Sequence, residues 1–132
     1  MNVRGLAHVG ILVADVAPAA ALFRRMGCAV KGPERDDDLG LWLLWVDVGD
    51  ATLEFVAPAR GDSRAAAALA RGEGGVHHVA LEVADVAAAV ADLVADGTPV
   101  RDATPRRGAH GSRVSFLDPE AAGGALIELV EP

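Results

Sequence analysis

His8-Val9-Gly10-Ile11-Leu12-Val13-Ala14-Asp15-Val16-Ala17 returns seventy positions later as His78-Val79-Ala80-Leu81-Glu82-Val83-Ala84-Asp85-Val86-Ala87. Across 8–30 and 78–100, eleven of twenty-three positions are identical, among them Gly27 with Gly97 and Val30 with Val100. Self-similarity of this length marks an internal duplication. The ends of the copies match as well: Leu53-Glu54-Phe55-Val56 before Pro58 is echoed by Ile127-Glu128-Leu129-Val130 before Pro132. Each copy opens on a histidine and closes on a glutamate.

The punctuation inside each copy is that of β-α-β-β-β. Residues 8–13 are β-rich, Asp15 stands where a helix N-cap belongs, Val16 to Met26 can run as a helix, and Gly27 closes it. Asp85, a helix to about Asp96 and Gly97 repeat the arrangement. Ala29 to Gly32 and Thr98 to Asp102 are expected as short strands after the helices. Residues 41–48 and 51–57 read as a hairpin turning through Gly49-Asp50. Its counterpart is 112–117 with 125–131, joined through Pro119 and Gly123-Gly124. An Ala-rich stretch, 62–71, belongs to neither copy and reads as a linker helix. The expected organisation is a single domain over 1–132, with modules at about 4–58 and about 75–132, since halves of roughly 60 residues are marginal alone.

A strand sends alternate side chains to opposite faces. Val9, Ile11 and Val13 share one face, as do Val79, Leu81 and Val83, and these apolar rows should pack beneath the helices. His8, Gly10 and Leu12 look the other way, together with His78, Ala80 and Glu82. His77 falls on the helix-packed parity, so His77-His78 is not a double ligand. On the hairpins Leu41, Leu43, Trp45 and Asp47 share a parity, while Glu54 lies with Thr52 and Val56, and Glu128 with Leu126 and Val130. A curling sheet would make the open face a cup floored by His8, Glu54, His78 and Glu128 and walled by Leu43, Trp45, Val114 and Phe116. One such residue alone is usually a backbone-bonded histidine or a solvent-facing charge. Four at repeat-related places, with the glutamates set among Leu, Ile, Phe and Val, point to a metal site.

Composition narrows the chemistry. At 132 residues and 52% hydrophobic the chain can bury one core. No run approaches the roughly 18 uncharged apolar residues that cross a bilayer, so a cytoplasmic protein is expected. The single Cys28 excludes an intramolecular disulfide or a thiolate cluster and reads as a small buried apolar residue. A metal would therefore be held by nitrogen and oxygen, and two imidazoles with two carboxylates suit Co²⁺, Mn²⁺, Ni²⁺, Fe²⁺ or Zn²⁺. A net charge of −7 argues against nucleic acid as a partner, although Arg101, Arg106, Arg107 and Arg113 form a basic exception.

The paired βαβββ modules, with His opening and Glu closing each, resemble the vicinal-oxygen-chelate (glyoxalase/bleomycin-resistance) superfamily. Several stretches look like its methylmalonyl-CoA epimerase branch: Asp62-Ser63 before the short helix, Arg71-Gly72-Glu73-Gly74-Gly75-Val76-His77-His78, Pro105-Arg106-Arg107-Gly108-Ala109-His110-Gly111, and Gly123-Gly124-Ala125-Leu126-Ile127-Glu128-Leu129. The resemblance covers essentially the whole chain and implies an α+β fold, two tandem modules forming one curved, cup-like mixed sheet with helices packed outside. Carried over residue by residue, it puts a divalent ion, Co²⁺ first, on His8, Glu54, His78 and Glu128, and implicates Glu128 in proton transfer. The chain departs from the family at Asp118-Pro119, where His usually precedes the proline, and in the 34–39 loop. A glutamate proposed as a second base in one branch would fall at Leu43.

The implied reaction interconverts the (R) and (S) forms of methylmalonyl-CoA, or of a related 2-substituted malonyl thioester, through a metal-stabilised enolate. Leu43 and Trp45 are candidate contacts for the acyl group; Arg107, His110 and Gly111 are candidates for the coenzyme A end, where the arginines could receive phosphates. A homodimer is expected by analogy. The alternatives are a glyoxalase-like lyase or isomerase on another small bidentate metabolite, and a non-catalytic resistance protein that sequesters a small molecule. Such binding proteins usually lose the ligands this chain retains. An extradiol dioxygenase fits less well, because two histidines and one glutamate suffice there and this chain offers a fourth ligand.

Overall fold

The computed structural model describes residues 2–132. The chain is α+β and forms two compact units, one of residues His8–His77 and one of His78–Pro132 together with the residues up to Ala7. No helix among the described residues is long and apolar enough to cross a membrane.

The first module comprises β1 (Val3–Leu12), α1 (Ala17–Arg25), β2 (Ala29–Asp36), β3 (Leu41–Val48) and β4 (Ala51–Pro58), with strands ordered β2-β3-β4-β1. β1 runs parallel to β4, with Gly10 opposite Glu54, and β3–β4 is the expected hairpin, with Trp45 opposite Glu54. Asp15 Oδ1 accepts from the Ala17 N–H at 2.9 Å, one residue before the N-cap position, which Val16 takes. At the other end Gly27 adopts φ 81°, and Cys28 N–H reaches back to Phe23 O at 3.0 Å, the turn that stops a helix. Ile11 and Val13 pack with Val16, Ala20 and Phe23 of the α1 segment over Leu44, Val46 and Phe55, and half-buried Cys28 joins this cluster.

β2 runs four residues past the Gly32 at which the sequence suggested it would stop, through a register shift between Lys31 and Glu34. Gly32 makes the shift possible, because it sits at φ +104° and a Cβ there would lie 2.8 Å from the Leu43 carbonyl oxygen. The linker stretch forms α2 (Arg64–Ala70), capped by Ser63, whose hydroxyl accepts from Ala66 N–H at 3.1 Å. Its Ala65 and Ala68 pack with Leu12, Leu41 and Val56, on the sheet face opposite α1. Small side chains let this helix lie close over three apolar residues that would otherwise face water.

The second module comprises β5 (Gly75–Val83), α3 (Val86–Ala95), β6 (Arg106–Arg107), β7 (Arg113–Phe116) and β8 (Ile127–Glu131), ordered β5-β8-β7-β6. The register is that of the first copy: β5 parallel to β8 with Ala80 opposite Glu128, and β7 antiparallel to β8 with Phe116 opposite Glu128. Asp85 caps α3 through Ala88 N–H at 3.0 Å, and Glu131 Oε1 accepts from Val86 N–H at 3.0 Å. Gly97 and Thr98 close the helix as Gly27 and Cys28 do, with Thr98 N–H on Leu93 O at 2.9 Å. Leu81 and Val83 pack with Val86, Ala89, Val90 and Leu129.

The strand expected over Thr98 to Asp102 does not form. Only Val100 bridges, to Leu117, and the paired segment lies later, at Arg106–Arg107. Pro99 has no N–H to offer a ladder. The N–H groups of Arg101 and Asp102 both turn to Phe116 O, each at 3.0 Å, while the Asp102 carboxylate takes the Phe116 N–H at 3.0 Å. A side chain thus replaces the strand partner that the first copy has.

Candidate functional site

Each half brings its own histidine and glutamate together. In the first, the β1–β4 register puts His8 and Glu54 on one face, with His8 Nδ1 3.8 Å from Glu54 Oε2 and the side chains only 13% and 16% exposed. Burial pushes the His8 pKa down, partly offset by the Glu54 charge, so the imidazole is neutral near pH 7 and keeps a lone pair. Trp45, directly across the hairpin, donates its indole Nε1–H to Glu54 Oε2 at 3.1 Å.

In the second half His78 Nε2 stands 3.7 Å from Glu128 Oε1, with side chains 9% and 8% exposed. Phe116, across from Glu128, meets the His78 ring edge-on, centroids 5.2 Å apart. The Arg106 guanidinium lies 5.7 Å over the same phenyl ring and is tied to Asp102 at 3.2 Å. His78 is thereby held by a stack that runs through Phe116 and Arg106 to Asp102.

The chemistry of each pair, an imidazole beside a carboxylate, suits a divalent ion. Both separations exceed hydrogen-bonding distance, yet ligands bound at about 2.1 Å stand roughly 3 to 4 Å from one another. Each pair therefore has the spacing of two ligands on one centre. His77 is spaced for something else: its Nε2 faces Glu73 Oε1 at 3.8 Å, on the other parity.

The profile of the Glyoxalase/Bleomycin resistance protein/Dioxygenase superfamily matches residues 7–116. The chain belongs to this superfamily. Among its members, the mitochondrial methylmalonyl-CoA epimerase of Bos taurus is 34% identical over 97% of this chain and 74% of its own. An ethylmalonyl-CoA/methylmalonyl-CoA epimerase of Cereibacter sphaeroides is 35% identical over 94% of this chain and 95% of its own. A solved structure of Streptomyces coelicolor methylmalonyl-CoA epimerase, a glutamate-to-leucine variant in complex with 2-nitronate-propionyl-CoA, matches with a TM-score of 0.85 at 34% identity, covering 98% of this chain and 95% of that one.

Against this superfamily background the remaining candidates sort by position. Leu43 is buried on β3, two residues from Trp45 and on the same face. Arg107 is exposed on β6, with Arg113 opposite it. His110 and Gly111 are exposed in the turn that follows, at φ 55° and 73°, a left-handed pair that only His110 enters at a steric cost. Gly108 is glycine for a packing reason, since a Cβ there would meet Ser112 Oγ at 2.5 Å and Val114 Cγ1 at 2.8 Å. Arg106, counted by charge with the exposed arginines, turns inward onto Phe116. Of the other carboxylates, Asp47 is exposed and accepts from Thr52 Oγ1 at 3.4 Å, while Glu82 faces Arg4 at 3.8 Å. Sequence reasoning placed Trp45 as a wall; the hairpin register, symmetric about Gly49-Asp50, carried the signal that its indole faces Glu54.

Proposed function

We propose that the protein is a divalent-metal-dependent epimerase of methylmalonyl-CoA or a related 2-substituted malonyl thioester, with His8, Glu54, His78 and Glu128 as the metal ligands. The observation that carries this reading is the repeated pair: a His and a Glu at ligand spacing in each half of a duplicated chain, half-buried in the first and buried in the second. The names of the relatives supply the substrate class.

A divalent ion held by these residues would supply positive charge that stabilises the negative charge collecting on the thioester as the α-proton leaves. The chain's own residues do the rest. Glu128 takes the proton, its burial keeping water from competing for the carboxylate. Leu43 and the ring of Trp45 give the acyl group an apolar wall, and Leu43 has no proton to return, so the opposite face draws its proton from a water or another carboxylate. Arg107, His110 and Gly111 contact the coenzyme A end, where arginine suits phosphate. The working assembly is a homodimer.

Proton NMR of methylmalonyl-CoA in D₂O tests the proposal. Loss of the α-proton signal with Co²⁺-loaded protein, abolished by a chelator and by His78→Ala, is the expected result. No exchange with Co²⁺, Mn²⁺, Ni²⁺ or Zn²⁺ would eliminate this substrate and leave a different chelating metabolite or a sequestering protein.

A further inference from the structure

The two copies share a backbone register but not a side chain at one decisive place. Trp45 lies across from Glu54, and its counterpart across from Glu128 is Phe116. An indole carries an N–H and a phenyl ring does not. The Trp45 Nε1–H points at Glu54 Oε2 from 3.1 Å, the same oxygen that stands nearest His8 Nδ1. Both residues are partly buried, so water competes weakly for the oxygen.

The terminal torsion of a glutamate is broad and two-fold, so an unrestrained carboxylate must be frozen when it binds an ion. A fixed donor removes that freedom beforehand and still leaves lone pairs, since a carboxylate has about four acceptor sites. Partners of this kind, one bond removed from the ion, typically change metal affinity by about 10- to 100-fold. We infer that Trp45 is a positioning residue: its indole N–H orients Glu54 as a metal ligand, with a donor that Phe116, at the matching place in the second copy, does not carry.

The inference rests on the ligand set proposed above, and Co²⁺ binding separates the two. Full-length protein is titrated with Co²⁺ and followed by visible absorption, comparing wild type, Trp45→Phe, Glu54→Ala and the double variant, with thermal melting of each metal-free form. Trp45→Phe should bind Co²⁺ about 10- to 100-fold more weakly with its melting temperature nearly unchanged, and should add nothing in the Glu54→Ala background. Wild-type affinity in Trp45→Phe, or the same fold-loss with and without Glu54, would overturn the positioning role while leaving the metal site standing. Absence of Co²⁺ binding by the wild type would remove the ligand set and the inference together. A second measurement covers a variant that fails to fold: the chain has only two tryptophans, and Trp42→Phe assigns their ¹⁵N–¹H indole signals. Zn²⁺ saturation of the wild type should shift the Trp45 signal, and an unmoved signal would overturn the inference.

Discussion

Trp45 and Phe116 occupy the same place in the two copies, each directly across an antiparallel strand pair from the glutamate that closes its half. Their rings are used differently. The indole bonds to Glu54, whereas the phenyl ring sets its edge against His78 and carries Arg106 on its face. Duplication preserved the backbone frame, while the ring at this one place touches the glutamate in the first half and the histidine in the second.

Adjacent histidines with opposite parities give a sharp contrast. His78→Ala removes a proposed ligand and should weaken Co²⁺ binding by at least about 100-fold, since a ligand matters more than a partner one bond removed. His77→Ala, whose imidazole faces Glu73, should leave Co²⁺ affinity within about two-fold. Calorimetric titration of both variants checks this, and equal losses would mean that strand parity does not govern the site.

Asp102 serves three groups at once: its carboxylate accepts from Phe116 N–H and pairs with Arg106, and its backbone carbonyl accepts from Ser115 Oγ at 2.6 Å. Asp102→Ala deletes the first two and deprives a partly buried guanidinium of its counter-charge. A loss of about 2–4 kcal/mol in urea unfolding is expected, with the slope unchanged. Asp102→Asn, which keeps an acceptor for Phe116 N–H, should lose about half as much. A loss below about 0.5 kcal/mol for the alanine variant would mean the cluster is solvated surface.

Parity along residues 8–13 and 78–83 made the helix-packed faces and the His/Glu positions legible, because a side-chain period of two leaves little freedom once one face is apolar. The glycine stops at Gly27 and Gly97 were legible for a similar reason, a backbone need that few other residues meet. The third strand of the second half was not. Val100 looked like the repeat of Val30, but Pro99 and the Asp102 side chain broke the ladder, and their effect depends on Phe116, sixteen residues beyond Val100. The Arg106–Phe116 stack was hidden likewise, since charge alone groups Arg106 with exposed arginines and only packing turns it inward.

Two glycines with positive φ should respond differently to the same change. At Gly27, φ +81° and open space mean that Gly27→Ala bears only the left-handed backbone cost of about 1–2 kcal/mol. At Gly32, φ +104° combines with the Leu43 carbonyl oxygen 2.8 Å from the would-be Cβ. That contact involves backbone that the β3 ladder holds in place, so Gly32→Ala should cost at least about 2–3 kcal/mol. Chemical denaturation of the two variants ranks them, and a Gly32→Ala protein as stable as Gly27→Ala would show that β2 relaxes at its register shift.

His8 sets the pH response of the metal-free protein. Burial lowers its pKa below 6.5, and the nearby Glu54 only partly restores it. The unfolded chain, with an ordinary histidine, therefore binds a proton more readily than the folded one between pH 6.5 and the folded value. Stability rises with pH wherever the unfolded state holds more protons. The contribution of neutral His8 is thus intact above about pH 6.5 and is lost as the pH falls through the folded pKa. Melting temperatures of chelator-treated protein from pH 8 to pH 5 should decline below about pH 6.5. His8→Asn, which cannot titrate, should decline less over the same interval, and the difference between the two curves isolates this one histidine from the other titrating groups. Parallel curves would mean that His8 is solvated in the metal-free protein, and that the neutral lone pair available for a metal at pH 7 comes from an ordinary histidine and not from its burial beside Glu54.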